Sequence, residues 1–297
     1  MDLAAELARA LARPGIAAVP YADAAFPDRP VTVHAYRAPG HAPGKPCVLV
    51  QHGMGRNGDE YRDFWIAAAD RHGLLILATT FADDAWPGPE HYNNGAVLTE
   101  DGAVRPPGRR AYDIPGRVLA AARAAGLTDG RDVRLFGHSA GAQFVHRLVA
   151  SGAAAPAVLI AANAGWYTLP TLDRPFPEGL GGIGLGEDDL ARFLAAPLHV
   201  LAGDADTETA GPSLPAHPAA LAQGPHRFAR ARAFVAAGGA AAASRGLACA
   251  WRLTVVPGIG HDGAAMSRVA AGLWFDGLEA ARAAERARTA TTDTPVL

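Results

Sequence analysis

Apolar runs of four to seven residues alternate along the chain with segments of helical period, the pattern of βαβ units that build a mostly parallel sheet. Val31 to Arg37 alternates apolar and polar positions and predicts an antiparallel edge strand. Cys47 to Gln51 is apolar almost throughout and predicts a strand buried on both faces. Leu74 to Thr79, Val133 to Phe136, Ala157 to Ala161, Leu198 to Ala202 and Ala250 to Val256 predict the other strands. Helices are expected at the N-terminus and over Glu60–Arg71, Pro115–Ala125, Gln143–Ala150 and Ala264–Arg286. The alanine- and glycine-rich stretch Ala236 to Ala243 reads as the end of a helix. The expected class is α/β, a mostly parallel central sheet flanked by helices on both faces. One domain is expected across 1–297, with a core over about 30–284 and a polar tail at 287–297.

Three connections, about 80–111, 163–196 and 204–225, are too long for simple βα loops; loops of that length usually cover or carry a site. Chemistry also gathers where the predicted strands end. Gly137-His138-Ser139-Ala140-Gly141 follows one strand and opens a helix, which gives G-x-S-x-G its mechanical meaning: a sharp turn that thrusts a serine hydroxyl over the sheet edge. A serine hydroxyl needs a base to take its proton and an acid to hold that base. Gly203-Asp204-Ala205-Asp206-Thr207 follows a second strand, and Pro257-Gly258-Ile259-Gly260-His261-Asp262 a third. Ends of parallel strands gather on one edge, so Ser139, an aspartate and His261 are expected together. Asp204 and Asp206 compete for the acid role; Asp206 is favoured because the extra residues let its carboxylate swing clear of the strand end.

A developing oxyanion needs two N–H donors. The Ala140 backbone supplies one, and Met54, in the glycine-rich loop His52-Gly53-Met54-Gly55-Arg56-Asn57-Gly58, is expected to supply the other. His52 and His138 are expected to hydrogen-bond within these loops. Trp86, His91, Tyr92, Trp166 and Tyr167 fall in the long connections; Trp86, Tyr92, Trp166 and Tyr167 are taken as pocket-lining candidates.

Composition narrows the classes. The net charge of −2 offers no electrostatic case for nucleic acid. Lys45 is the sole lysine, which removes a P-loop and leaves it the sole possible Schiff-base residue; it lies in the turn Pro43-Gly44-Lys45-Pro46 and reads as a solvated charge. Gly179-Leu180-Gly181-Gly182-Ile183-Gly184 spells G-x-G-x-x-G, but no predicted strand precedes it, so a dinucleotide site is not expected. The eleven histidines include no H-E-x-x-H or Cys/His cluster; no metal and no cofactor are expected. Cys47 and Cys249 read as small buried thiols. No stretch reaches the ~18 apolar residues of a membrane span. The acidic Met1-Asp2-Leu3-Ala4-Ala5-Glu6 is unlike a signal peptide, so a cytoplasmic protein is expected, or a secreted or periplasmic one if a leader has been trimmed away.

Gln51-His52-Gly53-Met54, the serine turn, Gly203-Asp204-Ala205-Asp206-Thr207 and Gly258-Ile259-Gly260-His261 together resemble the poly(3-hydroxybutyrate) depolymerase-like esterases, a branch of the α/β hydrolases. The similarity in order and spacing covers most of residues 30 to 280. It implies the α/β-hydrolase fold, the acid at Asp206 (the third residue after the glycine) and the oxyanion donor at Met54 (after the His-Gly pair). The family usually has cysteine where Met54 stands, so no disulfide is expected there. Secreted depolymerases also carry a signal peptide and a polymer-binding module on a linker, neither visible here, so soluble short-chain acyl or hydroxyalkanoate esters are the expected substrates. The alternatives are a serine peptidase of the same fold and a non-catalytic binding protein on the same scaffold. The sequence says nothing of oligomeric state.

Overall fold

The computed structural model describes residues 2–277. Its framework is an eight-stranded sheet: β1 (Gly15–Asp23), β2 (Phe26–Arg37), β3 (Cys47–Gln51), β4 (Leu75–Thr80), β5 (Val133–His138), β6 (Val158–Ala162), β7 (Leu198–Gly203) and β8 (Arg252–Val256). The spatial order is β1-β2-β4-β3-β5-β6-β7-β8. β1 and β2 pair antiparallel, as do β2 and β4; every later pairing is parallel.

Successive side chains of a strand point to opposite faces, and the core divides accordingly. Cys47, Leu49, Leu135, Leu159 and Val200 join one apolar cluster, while Val48, Val50, Phe136, Ile160 and Leu201 join the other. The helices cover both faces. α1 (Leu3–Ala10), α5 (Ile114–Ala124), α6 (Ala140–Ala150), α7 (Glu187–Ala195) and α9 (Arg227–Ala243) pack on the first. α2 (Gly58–Asp63), α3 (Ile66–His72) and α10 (Gly263–Phe275) pack on the second, and two single turns, α4 (Gly88–His91) and α8 (Pro218–Leu221), lie in the long connections.

Several expectations are corrected. Val31–Arg37 is the end of a longer strand with neighbours on both sides, and β1 is the edge. Pro20 lies opposite Thr32 in β1; proline lacks the ladder N–H, which an edge strand tolerates. The helix expected over Glu60–Arg71 is two helices, broken where Trp65 turns inward against Phe136 and Trp274. Ala236–Ala243 ends α9 as expected, but Gly238 has a packing role: a Cβ there would lie 2.3 Å from the Trp251 ring. Both cysteines are free thiols; Cys47 is buried, whereas Cys249 lies ahead of β8 and is only half-buried. The continuation of the last helix to Arg286 and the tail at 287–297 fall outside the described residues. No described helix is long and apolar enough to cross a membrane.

Candidate active site

The turn from β5 to α6 holds Ser139 at φ 58°, ψ −118°, a left-handed conformation that L side chains rarely adopt. The residues two positions to either side of it must be glycines. A Cβ on Gly137 would meet the Gly141 carbonyl at 2.2 Å, and one on Gly141 would meet the Gln51 carbonyl of β3 at 2.2 Å. The bond from Ser139 N–H to the Ala162 carbonyl (3.0 Å) anchors the turn to β6.

His261 lies just past β8 and bridges two partners. Its Nε2 is 3.0 Å from Ser139 Oγ and its Nδ1 is 2.8 Å from Asp206 Oδ2. A carboxylate only accepts, so Nδ1 carries the hydrogen and Nε2 of the neutral ring faces the serine as an acceptor. The Asp206 side chain is buried past β7, and its Oδ1 accepts a long bond (3.4 Å) from Arg227 Nη1, also buried. Arg227 opens α9 and donates through Nη2 to the Ser213 carbonyl and hydroxyl. Asp204 is placed otherwise: its Oδ1 accepts the Gly258 N–H at 2.7 Å, tying the loop after β7 to the loop carrying His261. Asn163 is a second brace, with Oδ1 accepting the Gly203 N–H and Nδ2 donating to the Gly260 carbonyl. Sequence reasoning singled out neither Arg227 nor Asn163; only the left-handed φ of 48° sets Asn163 apart, and it is visible only in the structure.

His52 lies in the loop after β3, as expected, whereas His138 is the last residue of β5 and its partner, Tyr61, belongs to α2. The Phe81 N–H donates to His52 Nε2, so its Nδ1–H donates to the Gly53 carbonyl and holds the chain leading to Met54. His138 is hydrogen-bonded to Tyr61 (2.8 Å), and its ring lies 4.7 Å from that of His261. Burial pushes the His52 imidazole down to about 3 and holds His138 and His146 well below the usual histidine range. The unfolded chain protonates each of them near its ordinary value of about 6.5, while the folded protein keeps them neutral. Their contribution is therefore complete above that value and is lost as pH falls below it, by about 1.4 kcal/mol per pH unit for each histidine. Urea midpoints at about pH 7.5, 6 and 5 should fall steeply across the last interval; a flat series would refute neutral burial.

Ser139 is 9% exposed and lies between cavities of 440 Å³ and 910 Å³. Met54, Gly55, Ser139 and Ser213 border both. The Met54 side chain is exposed at the rim, and Ala140 is the first residue of α6. Two of the four aromatic candidates line the larger cavity. Tyr92 stacks on His52 and donates to its carbonyl, and Trp166 faces His217. Trp86 and Tyr167 do not line it. Trp86 packs edge-on against Phe26 and Phe81 and donates to the Pro30 carbonyl, so it anchors the connection from below. Tyr167 stacks on Phe234 in the core. His91 borders a neighbouring cavity and bonds to the Pro87 carbonyl. The Gly179–Gly184 run is loop, joined to Pro175 by an isolated bridge.

No protein-family model matches the chain, and no curated protein matches it. Solved structures do. LpqC, a poly(3-hydroxybutyrate) depolymerase from Bordetella parapertussis, is 55% identical over 93% of this chain and 94% of its own, with a TM-score of 0.89. Poly(aspartic acid) hydrolase-1 from Sphingomonas sp. KT-1 is 33% identical over 88% of this chain and 98% of its own, with a TM-score of 0.81. The S-formylglutathione hydrolase FrmB from Staphylococcus aureus, at 11% identity over 87% of this chain and 94% of its own, shares the fold with a TM-score of 0.53. The chain belongs to the poly(3-hydroxybutyrate) depolymerase-like serine esterases of the α/β-hydrolase fold.

Proposed function

We propose that Ser139, His261 and Asp206 cleave soluble carboxylic esters, short-chain acyl or hydroxyalkanoate, through an acyl-enzyme. The observation that carries this reading is the single imidazole bridging Ser139 Oγ at 3.0 Å and Asp206 Oδ2 at 2.8 Å. Ser139 Oγ attacks the ester carbonyl carbon as His261 Nε2 takes its proton. The carbonyl oxygen becomes an oxyanion facing the backbone N–H groups of Met54 and Ala140, where the start of α6 adds a favourable dipole. The tetrahedral adduct collapses, the C–O bond breaks, and the imidazolium returns its proton to the departing alcohol. Water then repeats the sequence on the acyl-serine and releases the acid. Asp206 holds the Nδ1–H tautomer, and Arg227 with Ser213 fixes the carboxylate.

The similarity to LpqC supports a hydroxyalkanoate ester as one such substrate. A largely covered serine between two cavities suits a soluble chain rather than the flat face of a solid polymer. Each added methylene contributes at most about 0.8 kcal/mol while there is room for it. Activity on p-nitrophenyl esters should therefore peak at acetate to butyrate and fall by palmitate. The butyryl anilide, an amide on the same acyl group, should react far more slowly. A peak at palmitate, efficient clearing of solid polyhydroxybutyrate, or equal rates on anilide and ester would overturn this substrate class.

A further inference from the structure

Ser139, Gln143 and Arg147 follow one another at four-residue spacing from the serine turn down α6, so they share one face of it. Arg147 is fully buried and has only neutral partners among the described residues. Its Nε donates to Thr168 Oγ1 and its Nη1 to Asn94 Oδ1 and Gln143 Oε1, at 3.1, 2.6 and 2.9 Å. Its guanidinium lies 4.7 Å from the Trp166 ring centre, and Nη2 finds no hydrogen-bond partner. Burial brings its pKa down to about 10, which leaves it a cation at neutral pH. A buried charge without a counterion is expensive to maintain.

The guanidinium also dictates how its neighbours face. It carries donors only, so the atoms that meet it are the amide oxygens of Asn94 and Gln143, and Asn93 Nδ2 donates to the same Gln143 oxygen at 2.7 Å. The NH₂ groups of Asn94 and Gln143 are thereby turned away from Arg147, and both residues line the 910 Å³ cavity that contains Ser139. The acidic residues on that cavity, Asp83 and Glu90, are exposed, and Asp83 is already paired with Arg56 at 3.1 Å. The inner wall therefore offers amide donors backed by an unneutralised cation.

We propose that this wall receives a carboxylate carried by the ester substrate, with Gln143 Nε2 and Asn94 Nδ2 donating to it and Arg147 supplying the countercharge. The favoured substrates are then esters with a free acid end, such as half-esters of dicarboxylic acids or acylated hydroxy acids. This rests on the ester-hydrolase reading of Ser139 and narrows it.

The test compares acid and neutral members of two ester pairs. 4-Nitrophenyl hydrogen succinate against 4-nitrophenyl methyl succinate places the charge on the acyl side. 3-Acetoxybutanoic acid against its methyl ester places it on the alcohol side. In at least one pair kcat/KM should be about tenfold or more higher for the acid, mainly through KM. Asn94→Asp sets a carboxylate against Arg147, keeps its hydrogen bond and replaces a cavity donor with an acceptor. That ratio should fall about tenfold or more in this variant and likewise in Gln143→Glu. Hydrolysis of the neutral esters with no acid preference in either pair, or a preference untouched by both substitutions, overturns the inference and leaves the esterase reading standing. Failure of the wild type to hydrolyse any of the four removes both.

Discussion

Ser139→Ala should abolish ester hydrolysis, by about 10³-fold or more in kcat, while the protein folds as before. The substitution removes only Oγ, the atom 3.0 Å from His261 Nε2, and leaves the turn that carries it. That turn is held by the glycines at 137 and 141 and by the Ser139 N–H bond to Ala162, none of which needs the hydroxyl. Residual rate over water would come from the oxyanion donors and substrate binding alone. A fluorophosphonate probe should label the wild type at Ser139 and leave the variant unlabelled. Labelling that survives the substitution would place the nucleophile elsewhere.

Asp206→Asn should cost about 10³- to 10⁴-fold in kcat, and Asp204→Asn less than about tenfold. The asparagine amide can donate to His261 Nδ1, which stabilises the tautomer with its hydrogen on Nε2, facing the serine as a donor rather than an acceptor. The same change weakens the charge-assisted contact to buried Arg227, so a fall in melting temperature should accompany the lost activity. At position 204 the asparagine Oδ1 can still accept the Gly258 N–H, so the brace between the two loops persists. Steady-state kinetics with thermal melts on both variants separates these outcomes. Comparable losses of activity would mean that loop geometry, rather than contact with His261, underlies the acid's role.

Much of the framework was legible because it is local. A strand buried on both faces is mostly apolar, and Cys47–Gln51, Val133–Phe136 and Leu198–Ala202, each with a single polar residue, lie within or coincide with a strand of the sheet. G-x-S-x-G between such a run and a helix admits few backbone solutions, so the serine turn was readable before any contact was known. β1 was not legible: its alanines and Pro20 carry little strand signal, and it is a strand because β2 offers a full-length partner. Trp86 against Tyr92, and Trp166 against Tyr167, could not be sorted by sequence, since neighbours in an irregular segment diverge toward cavity or core according to what lies beneath.

Local patterning alone dictates the alternation of strands and helices, the serine turn, and the presence of an aspartate and a histidine just past later strands. These follow from the period of a strand, the sterics of a turn and the rule that parallel strands end together, all properties of short segments. Long-range packing is what brings Asp206 rather than Asp204 to His261, lets Arg227 and Asn163 brace that meeting, and leaves Arg147 uncompensated beneath the cavity. Those contacts join loops and helices far apart in the chain. The order of strands in the sheet and the rotamers left free by packing set their distances, and no local pattern encodes either.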